Sequence, residues 1–376
     1  MSHWLLSALA AVAIIISGAL GEAQLVQIYH VIDNSLWGEV DGSALQGSFY
    51  CGGRTSSCEL ISTDARITGK SKAPDDLLGN IRGKFASWVV PQALTVGLYN
   101  IHTWAPQSAW PHHPDACLLP THLDMAESEE STVRFRKLFS ASFSGFDGNS
   151  TTHPQSSVQR SYVSTGIFNA SVFLPLKPLA SLIPGAAYVA STCHRGRSAP
   201  KREDVVTRLQ QVYRIDSLGK CHKTAAKPDT VTLRMGMSAL ETLRLKQEAI
   251  SHYLFYLAFE NSVEPGYVTE KVFDALIAGT VPVYLGPTED CKKMLPDPKA
   301  AIFLDDFADN VEKLGAYLTY LASNETAYEE HRAWRRAKST VPLPAMITQP
   351  WPCRICSWAR AQAPLKRKKK MTSRQC

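Results

Sequence analysis

The stretch that decides the fold is residues 253–287, YLFYLAFENSVEPGYVTEKVFDALIAGTVPVYLGP. It opens with an apolar run, residues 253–259, that is too short to span a membrane and is typical of a buried strand. Thr269 stands where it would cap a helix with apolar residues at helical spacing, and Gly279 would end that helix. A second, β-branched run follows at once over residues 280–285. The pattern therefore predicts strand, loop, helix and strand, the unit of a parallel α/β sheet.

The loop and the helix start of this unit carry residues suited to a ligand. Open α/β sheets bind ligands on this side, and the free N–H groups of a helix N-terminus favour anions. Lys271 adds a positive charge there, while Glu270 accepts hydrogen bonds from hydroxyls such as those of a ribose. The residues alone leave a second interpretation open, in which Glu270 only favours the helix dipole and Lys271 is a solvated surface residue.

The order FYLAFENS, GYVTEK and AGTVPVYLGP resembles the nucleotide-sugar motif of the α1,3/α1,4-fucosyltransferases, which use GDP-fucose. The match is dense over this stretch and thinner over the rest of the second half of the chain. The resemblance implies donor-binding roles for Asn261, Tyr267, Glu270 and Lys271. Asn261 can bond the nucleotide through its amide, and Tyr267 can stack on the donor or donate its hydroxyl.

Arg202 stands near the start of a predicted helix over residues 201–212, where the family has an arginine that faces the donor diphosphate. A guanidinium suits that place because it is always charged and can form two parallel bonds to phosphate oxygens. The alternative is a solvated basic turn, since Arg202 has basic neighbours at Lys201, Arg195 and Arg197.

Negative charge grows on the diphosphate as an oxocarbenium-like sugar leaves it, so fixed positive charge there would stabilise the transition state. Lys271 and Arg202 are the catalytic candidates for this task. The donor half has no DxD-like pair at the site, and Asp305-Asp306 is typical of a strand-end turn. We therefore expect no metal ligands and no obligatory cofactor besides the donor substrate GDP-fucose, with stimulation by a divalent cation left open.

The catalytic base is where the sequence departs from the family. An inverting transfer needs a group that takes the proton from the acceptor hydroxyl. The family has a glutamate just beyond a strand of the first half, but here residues 98–101 run into His102 and then Trp104, and neither is acidic. His102 is the predicted base, since neutral imidazole accepts a proton near pH 7. Four more residues stay open as carriers of this role: Asp115, His122, Asp124 and Glu127.

Charge and cysteine content narrow the class of protein. Six of the 40 basic residues lie in residues 366–376, so the rest of the chain has 34 charges of each sign. A general nucleic-acid-binding surface is therefore not expected, and the tail is typical of a solvated, disordered run. The 9 cysteines and three sequons, at Asn149, Asn169 and Asn324, fit a lumen where disulfides form.

Cys353 and Cys356 form a C-x-x-C motif near the end of the chain. No second pair stands at zinc-site spacing, so the motif is weak evidence for a metal. The family resemblance implies structural disulfides for such a pair. The C-R-I-C form of the motif resembles that of the core-type enzymes of plants and invertebrates. Those enzymes modify the innermost GlcNAc of N-glycans.

The N-terminus carries an apolar or small-residue run over residues 4–20, at the lower limit for a spanning helix. We predict an uncleaved signal-anchor over residues 1–24, with a cleaved signal peptide as the alternative. The resemblance implies a single-pass type II protein of the Golgi membrane, with its catalytic part in the lumen and its N-terminal helix in contact with the membrane.

In the first half the sequence predicts strands over residues 25–32 and 94–101, a weaker candidate strand at 85–90 and a proline-rich loop at 106–120. After about residue 185, predicted strands at 187–192, 213–216 and 301–304 alternate with predicted helices at 201–212 and 310–321, which indicates a doubly wound parallel sheet. We expect an α/β chain of the GT-B type, with two Rossmann-like domains facing a cleft. The boundaries expected are an acceptor-binding domain over residues 25–182, a GDP-fucose-binding domain over residues 183–345, and a C-terminal segment over residues 346–376.

The sequence therefore predicts an inverting fucosyltransferase that moves L-fucose from GDP-fucose to O3 of a GlcNAc on a glycoprotein or oligosaccharide, with core α1,3-fucosylation of N-glycans preferred. Two further functions stay open. One is a Lewis-type α1,3/4-fucosyltransferase acting on lactosamine, and the second is a relative that binds GDP-fucose or glycan but has lost catalysis.

Overall fold

The computed structural model describes residues 26–32, 47–49, 58–64, 94–100, 122–127, 147–163, 172–190, 193, 200–222, 224, 239–336 and 344–372. Within these residues the chain forms two sheets in which almost every strand pair is parallel. The prediction of an α/β fold is confirmed.

The first sheet has the strand order β2-β3-β1-β4-β5-β6, and only the β2–β3 pair is antiparallel. Its strands are β1 Val26–Ile32, β2 Gly47–Phe49, β3 Cys58–Asp64, β4 Leu94–Asn100, β5 His122–Glu127 and β6 Gly148–Ser150. The strands predicted over residues 25–32 and 94–101 are confirmed as β1 and β4. The weaker candidate strand at 85–90 and the proline-rich loop at 106–120 lie outside the described residues.

The second sheet is wholly parallel and has the order β11-β10-β9-β7-β8. Its strands are β7 Ile183–Tyr188, β8 Ile215–Ser217, β9 Tyr253–Phe259, β10 Val281–Leu285 and β11 Ile302–Phe303. The strand predicted at 187–192 begins four residues earlier, at Ile183, because the apolar residues 186–188 are its buried end and not its start. The remaining predicted strands of this half are confirmed to within two residues.

Eight α-helices lie within the described part of the chain. They are α1 Pro200–Val212, α2 Ala239–Ile250, α3 Glu270–Ala278, α4 Thr288–Met294, α5 Val311–Ser323, α6 Glu325–Glu330, α7 Ala345–Thr348 and α8 Trp351–Thr372. The predicted helices at 201–212 and 310–321 are confirmed as α1 and α5. The prediction of a disordered tail at 366–370 is wrong, because these residues continue α8, and lysine and arginine are good helix formers.

The second sheet lies between two layers of helices. One apolar cluster joins Tyr256 of β9 to α2 and α3, and the other joins Phe255 of β9 to α1 and α5. Every residue of β9 and β10 is buried. A strand covered on both faces needs apolar side chains on both, which explains the unbroken apolar runs in the sequence.

Helix α8 packs against β1, β3 and β4, so the end of the chain returns to the first sheet. Its buried residues include Cys353 and Cys356, and both cysteines are disulfide-bonded, as the family resemblance implied. In the part of the chain that the structure describes, no helix combines the length and apolar character that crossing a membrane requires. The predicted signal-anchor at 1–24 lies outside the described residues.

Candidate active site

The candidate site lies at the carboxyl ends of β7 and β9, which are neighbours in the second sheet. Helix α1, with Arg202 in its first turn, follows β7, and the loop from Glu260 to Thr269 follows β9. Because parallel strands end at one edge, residues about 60 positions apart in sequence come together there. Arg202 Nη1 donates a hydrogen bond to Asn261 Oδ1, which joins the two segments directly.

Arg202 is held as a buried cation. It is only 3% exposed, which excludes the solvated basic turn that the sequence left open. Its guanidinium donates to Glu203 Oε1 at 3.0 Å, and that carboxylate also accepts from the Tyr188 hydroxyl at 3.3 Å. The second oxygen of Glu203 lies 2.8 Å from His222 Nε2. This hydrogen-bonded group fixes the guanidinium beside Asn261.

Thr269 precedes α3 but does not cap it with its side chain, so the predicted capping bond is wrong. Its hydroxyl donates instead to Glu260 Oε2 at 2.7 Å, and its N–H donates to Glu260 Oε1 at 2.7 Å. A cap would use the Thr269 hydroxyl oxygen as the acceptor for an N–H of the first helical turn, whereas here the hydroxyl donates a charge-assisted bond to the Glu260 carboxylate and is turned away from the helix. Glu260 is therefore a site residue that the sequence interpretation did not single out.

Lys271 extends its ammonium into this group. Lys271 Nζ lies 2.6 Å from Thr269 Oγ1, 3.0 Å from Glu260 Oε2 and 3.3 Å from Glu270 Oε1. Its side chain is 15% exposed, so the interpretation of Lys271 as a solvated surface residue is wrong. Burial alone would lower the pKa of Lys271, but the carboxylates of Glu260 and Glu270 raise it, which keeps the group charged.

Glu270 lies at the start of α3 with 21% of its side chain exposed. Burial favours its neutral form, but Lys271 and Lys246 outweigh burial and lower the pKa of Glu270 to about 2. Lys246 of α2 pairs with the buried Asp274 of α3, and Gln247 Nε2 donates to Asp274 Oδ1 at 2.8 Å. Glu270 is thus an ionised acceptor at the helix N-terminus, suited to ligand hydroxyls.

Tyr267 and Gly266 form the far side of the loop. Tyr267 is buried and packs edge-on against Tyr162, with ring centroids 5.8 Å apart. Gly266 has a φ of +77°, and a Cβ there would meet Thr152 O at 2.0 Å. Its N–H donates to Asp290 Oδ2 at 2.7 Å. Only glycine fits this conformation and this close approach, which explains the Gly-Tyr step of the motif.

The predicted base, His102, lies outside the described residues, as does Asp115. The three remaining candidates for the base, His122, Asp124 and Glu127, lie on β5, where the strand register places them along the first sheet. Glu127 is at the carboxyl end and pairs with Asn100, the last residue of β4, whereas His122 pairs with Thr95 near the start of β4. Asp124 lies between them, opposite Gly97.

The predicted turn at Asp305-Asp306 is confirmed. Both aspartates belong to the 3-10 turn Leu304–Phe307. Asp305 Oδ2 accepts from the Thr288 hydroxyl at 2.5 Å, and Asp306 lies 3.7 Å from Lys292 Nζ. These contacts tie the end of β11 to α4, and no group of metal-ligating side chains occurs among the residues that the structure describes.

The structure therefore brings five of the six predicted site residues to one edge of the sheet: Arg202, Asn261, Tyr267, Glu270 and Lys271. This edge has one buried and one largely buried cation, an amide, and an ionised carboxylate at a helix N-terminus. It suits a ligand with both negative charge and hydroxyl groups. Glu260 and Lys246, which help to hold these groups, were missed, and Thr269 was predicted only as a helix cap. Glu260 had one signal in the sequence, because it is a charged residue directly after a strand of seven apolar residues.

A parallel α/β sheet with this edge places the chain among the α/β proteins that bind ligands beyond the carboxyl ends of their strands. The family described as glycosyltransferase family 10 (fucosyltransferase), C-terminal part, matches residues 184–374. The chain belongs to this family.

Individual proteins that are similar to this chain in sequence are named as fucosyltransferases. The α-(1,3)-fucosyltransferase fut-1 of Caenorhabditis elegans is 33% identical over 185 residues, which cover 46% of this chain and 38% of the relative. The 4-galactosyl-N-acetylglucosaminide 3-α-L-fucosyltransferase FUT6 of Pongo pygmaeus is 32% identical over 186 residues, 49% of this chain and 44% of the relative. The chain thus spans less than half of the length of these curated relatives. A crystal structure of an α1,3-fucosyltransferase with GDP aligns over 91% of both chains at 15% identity, with a TM-score of 0.45.

Proposed function

We propose that this chain is an inverting glycosyltransferase that moves L-fucose from GDP-fucose to O3 of a GlcNAc residue of an N-glycan. One observation carries the proposal: two cations from separate segments of a family 10 chain lie at the same sheet edge, the buried Arg202 bonded to Asn261 and the largely buried Lys271 bonded to Glu260. An edge of this kind suits the diphosphate of a nucleotide sugar.

In this proposal each residue of the sheet edge binds a different part of GDP-fucose. Arg202 and Lys271 bind the diphosphate and stabilise the charge that grows on it as the bond to fucose breaks. Glu270 accepts a hydrogen bond from a hydroxyl of the donor, and Asn261 binds the nucleotide. Tyr267 stacks on the donor or donates its hydroxyl to it. The two cations serve as the electrophilic groups, so no obligatory metal is included, although stimulation by a divalent cation is compatible with it.

The acceptor side is assigned to the first sheet, in a GT-B arrangement with the acceptor half over residues 25–182 and the donor half over 183–345. His102 is the proposed base. The strand register supports Glu127 as the second candidate, because Glu127 ends β5 beside Asn100, at the edge where α/β sheets bind ligands. His122 and Asp124 lie farther back along β5 and are less favoured.

The acceptor proposed is the core GlcNAc of a glycoprotein N-glycan, in the lumen of the Golgi apparatus, with residues 1–24 as the type II anchor. The C-R-I-C form of the C-terminal cysteine motif supports the core acceptor. The name of the Pongo pygmaeus relative, which describes a galactosylated GlcNAc acceptor, favours the Lewis type as a second candidate.

The test is transfer by the purified chain from GDP-fucose to a panel of N-glycan and lactosamine acceptors, with mass spectrometry to locate the fucose. We expect fucose on O3 of the innermost GlcNAc, and a loss of about 10²-fold or more in kcat for Lys271→Ala and for Arg202→Ala. Fucose found only on lactosamine would replace the core acceptor with the Lewis type. Binding of GDP-fucose without product on any acceptor would indicate the relative that has lost catalysis.

A further inference from the structure

Glu260 is the least exposed charged group of the candidate site, at 1% exposure, and it comes directly after β9. Three hydrogen bonds reach its carboxylate, from the Thr269 N–H, the Thr269 hydroxyl and the Lys271 ammonium. An ionised carboxylate can accept all three bonds, whereas a protonated one would set its own O–H against a donor. Burial raises the pKa of Glu260, and Lys271 and Thr269 oppose that shift.

The ammonium of Lys271 has three protons, and the structure gives each a partner. Two of them are donated to Glu260 at 3.0 Å and to Thr269 at 2.6 Å, and the Thr269 hydroxyl in turn donates to Glu260. Glu270 takes the third at 3.3 Å, the longest of the three contacts. Glu260 has no exposed side-chain surface, while Glu270 is 21% exposed, so the Glu270 contact is the one that a ligand can replace.

We propose that Glu260 is a positioning residue for phosphate recognition: with Thr269 it holds Lys271 so that the ammonium N–H that now donates to Glu270 donates instead to a phosphate oxygen of the donor. Glu270 then turns to a hydroxyl of the same ligand. Two ammonium protons thus serve as a fixed anchor and one as the binding contact. This inference rests on the proposed binding of GDP-fucose and adds to it a residue that touches no ligand itself.

The chain offers a matched control in Asp216. Like Glu260, Asp216 is a buried carboxylate that pairs with a cation, Arg214, at 2.7 Å and with a hydroxyl, that of Tyr253, at 3.1 Å. It lies on β8, the edge strand, and contacts none of the site residues described above. Asp216→Asn therefore removes a comparable buried charge without touching Lys271.

The experiment is calorimetric titration of GDP, and separately of guanosine, into the full chain and its Glu260→Gln, Asp216→Asn, Lys271→Ala and Glu260→Gln/Lys271→Ala variants. We expect Glu260→Gln to weaken GDP by about tenfold or more, the effect of a lost hydrogen bond to a charged group, while guanosine affinity stays within about twofold. Asp216→Asn should leave both affinities unchanged. In the Lys271→Ala background Glu260→Gln should cause no further loss, because the residue acts through the ammonium.

Unchanged GDP affinity in Glu260→Gln would overturn the inference, and so would an equal loss of GDP and guanosine or a full effect without Lys271. If Glu260→Gln does not fold, Thr269→Val removes the bridging hydroxyl with little change in volume and should weaken GDP in preference to guanosine. A wild-type chain that binds no GDP would overturn the proposed function along with the inference. A wild-type chain that binds GDP, with Lys271→Ala weakened but Glu260→Gln unchanged, overturns the inference alone.

Discussion

At the scale of single residues, the charge of Glu270 links the site to stability. Its pKa in the folded chain is about 2, below the usual value of 4.5, because Lys271 and Lys246 outweigh the effect of burial. A lowered pKa contributes stability that is present above about pH 4.5 and is lost as the pH falls towards about 2. We expect Glu270→Gln to lack this contribution.

Urea unfolding at a series of pH values checks the prediction. The difference in free energy of unfolding between wild type and Glu270→Gln should shrink by on the order of 2 kcal/mol between pH 5 and pH 2. The comparison with Glu270→Gln is needed because other carboxylates titrate in both proteins, and subtracting the two unfolding free energies removes their contribution. If the two curves of unfolding free energy against pH run parallel over this range, the lysine neighbours do not lower the pKa of Glu270 in the folded chain.

Gly266 gives a second prediction at this scale. A Cβ at this position would meet Thr152 O at 2.0 Å, and its φ of +77° strains any side chain. We expect Gly266→Ala to lower the free energy of unfolding by about 1–3 kcal/mol and to weaken GDP binding, because the loop that carries Tyr267 must shift. Val263→Ala in the same loop is the control, since Val263 is 58% exposed and its loss should cost less than about 0.5 kcal/mol. Equal stabilities of the two variants would contradict this interpretation.

At the scale of elements, a buried ion pair fastens α2 to α3, the helix that begins at the site. Lys246 of α2 pairs with Asp274 of α3, and Asp274 is buried. Asp274→Ala leaves the ammonium unpaired and should cost about 3–5 kcal/mol of unfolding free energy. The double variant Lys246→Met/Asp274→Leu should recover most of that loss, because apolar residues of similar volume can replace a buried pair. Chemical denaturation measures the stability of both variants. A loss below about 1 kcal/mol in Asp274→Ala would show that the ion pair does not stabilise the packing of α2 on α3.

Element by element, the sequence predicts the second sheet well because its strands are buried on both faces and appear as unbroken apolar runs. The family resemblance predicted the residues that come together at the sheet edge, and the strand-loop-helix pattern by itself indicated only Glu270 and Lys271. The sequence did not predict α2, in which four charged residues (Glu241, Arg244, Lys246 and Glu248) obscure the apolar face in the sequence. The predicted role of Thr269 was wrong, because a capping position says nothing about the buried carboxylate that competes for the hydroxyl.

At the scale of the whole molecule, a disulfide links the segments that follow β7 and β8. Cys193 and Cys221 are bonded across a separation of 28 residues. Closing a loop of this length restricts the unfolded chain, so the Cys193→Ser/Cys221→Ser variant should lose about 2–4 kcal/mol of stability. Thermal unfolding monitored by calorimetry provides the measurement. A melting temperature equal to that of the wild type would indicate that this bond is not structural.

The two halves of the chain differ in how far the sequence can be interpreted. The donor half carries the family motif on buried elements, so pattern and structure agree there. In the first half, long proline-rich and serine-rich segments separate the strands, and such segments carry no periodic pattern from which residue roles could be predicted. The resemblance implies a glutamate at position 102 or 104, and the strand pattern does not explain why His102 and Trp104 stand there instead.

The central claim is that Arg202 and Lys271 bind the diphosphate of the donor at the carboxyl edge of the second sheet. Calorimetric titration of GDP into the wild type, Arg202→Ala and Lys271→Ala tests it most directly, with UDP as the control ligand for the base. We predict saturable GDP binding by the wild type, a loss of about tenfold or more in each variant, and weaker binding of UDP. Equal GDP affinity in all three proteins, or no binding by the wild type, would contradict the claim.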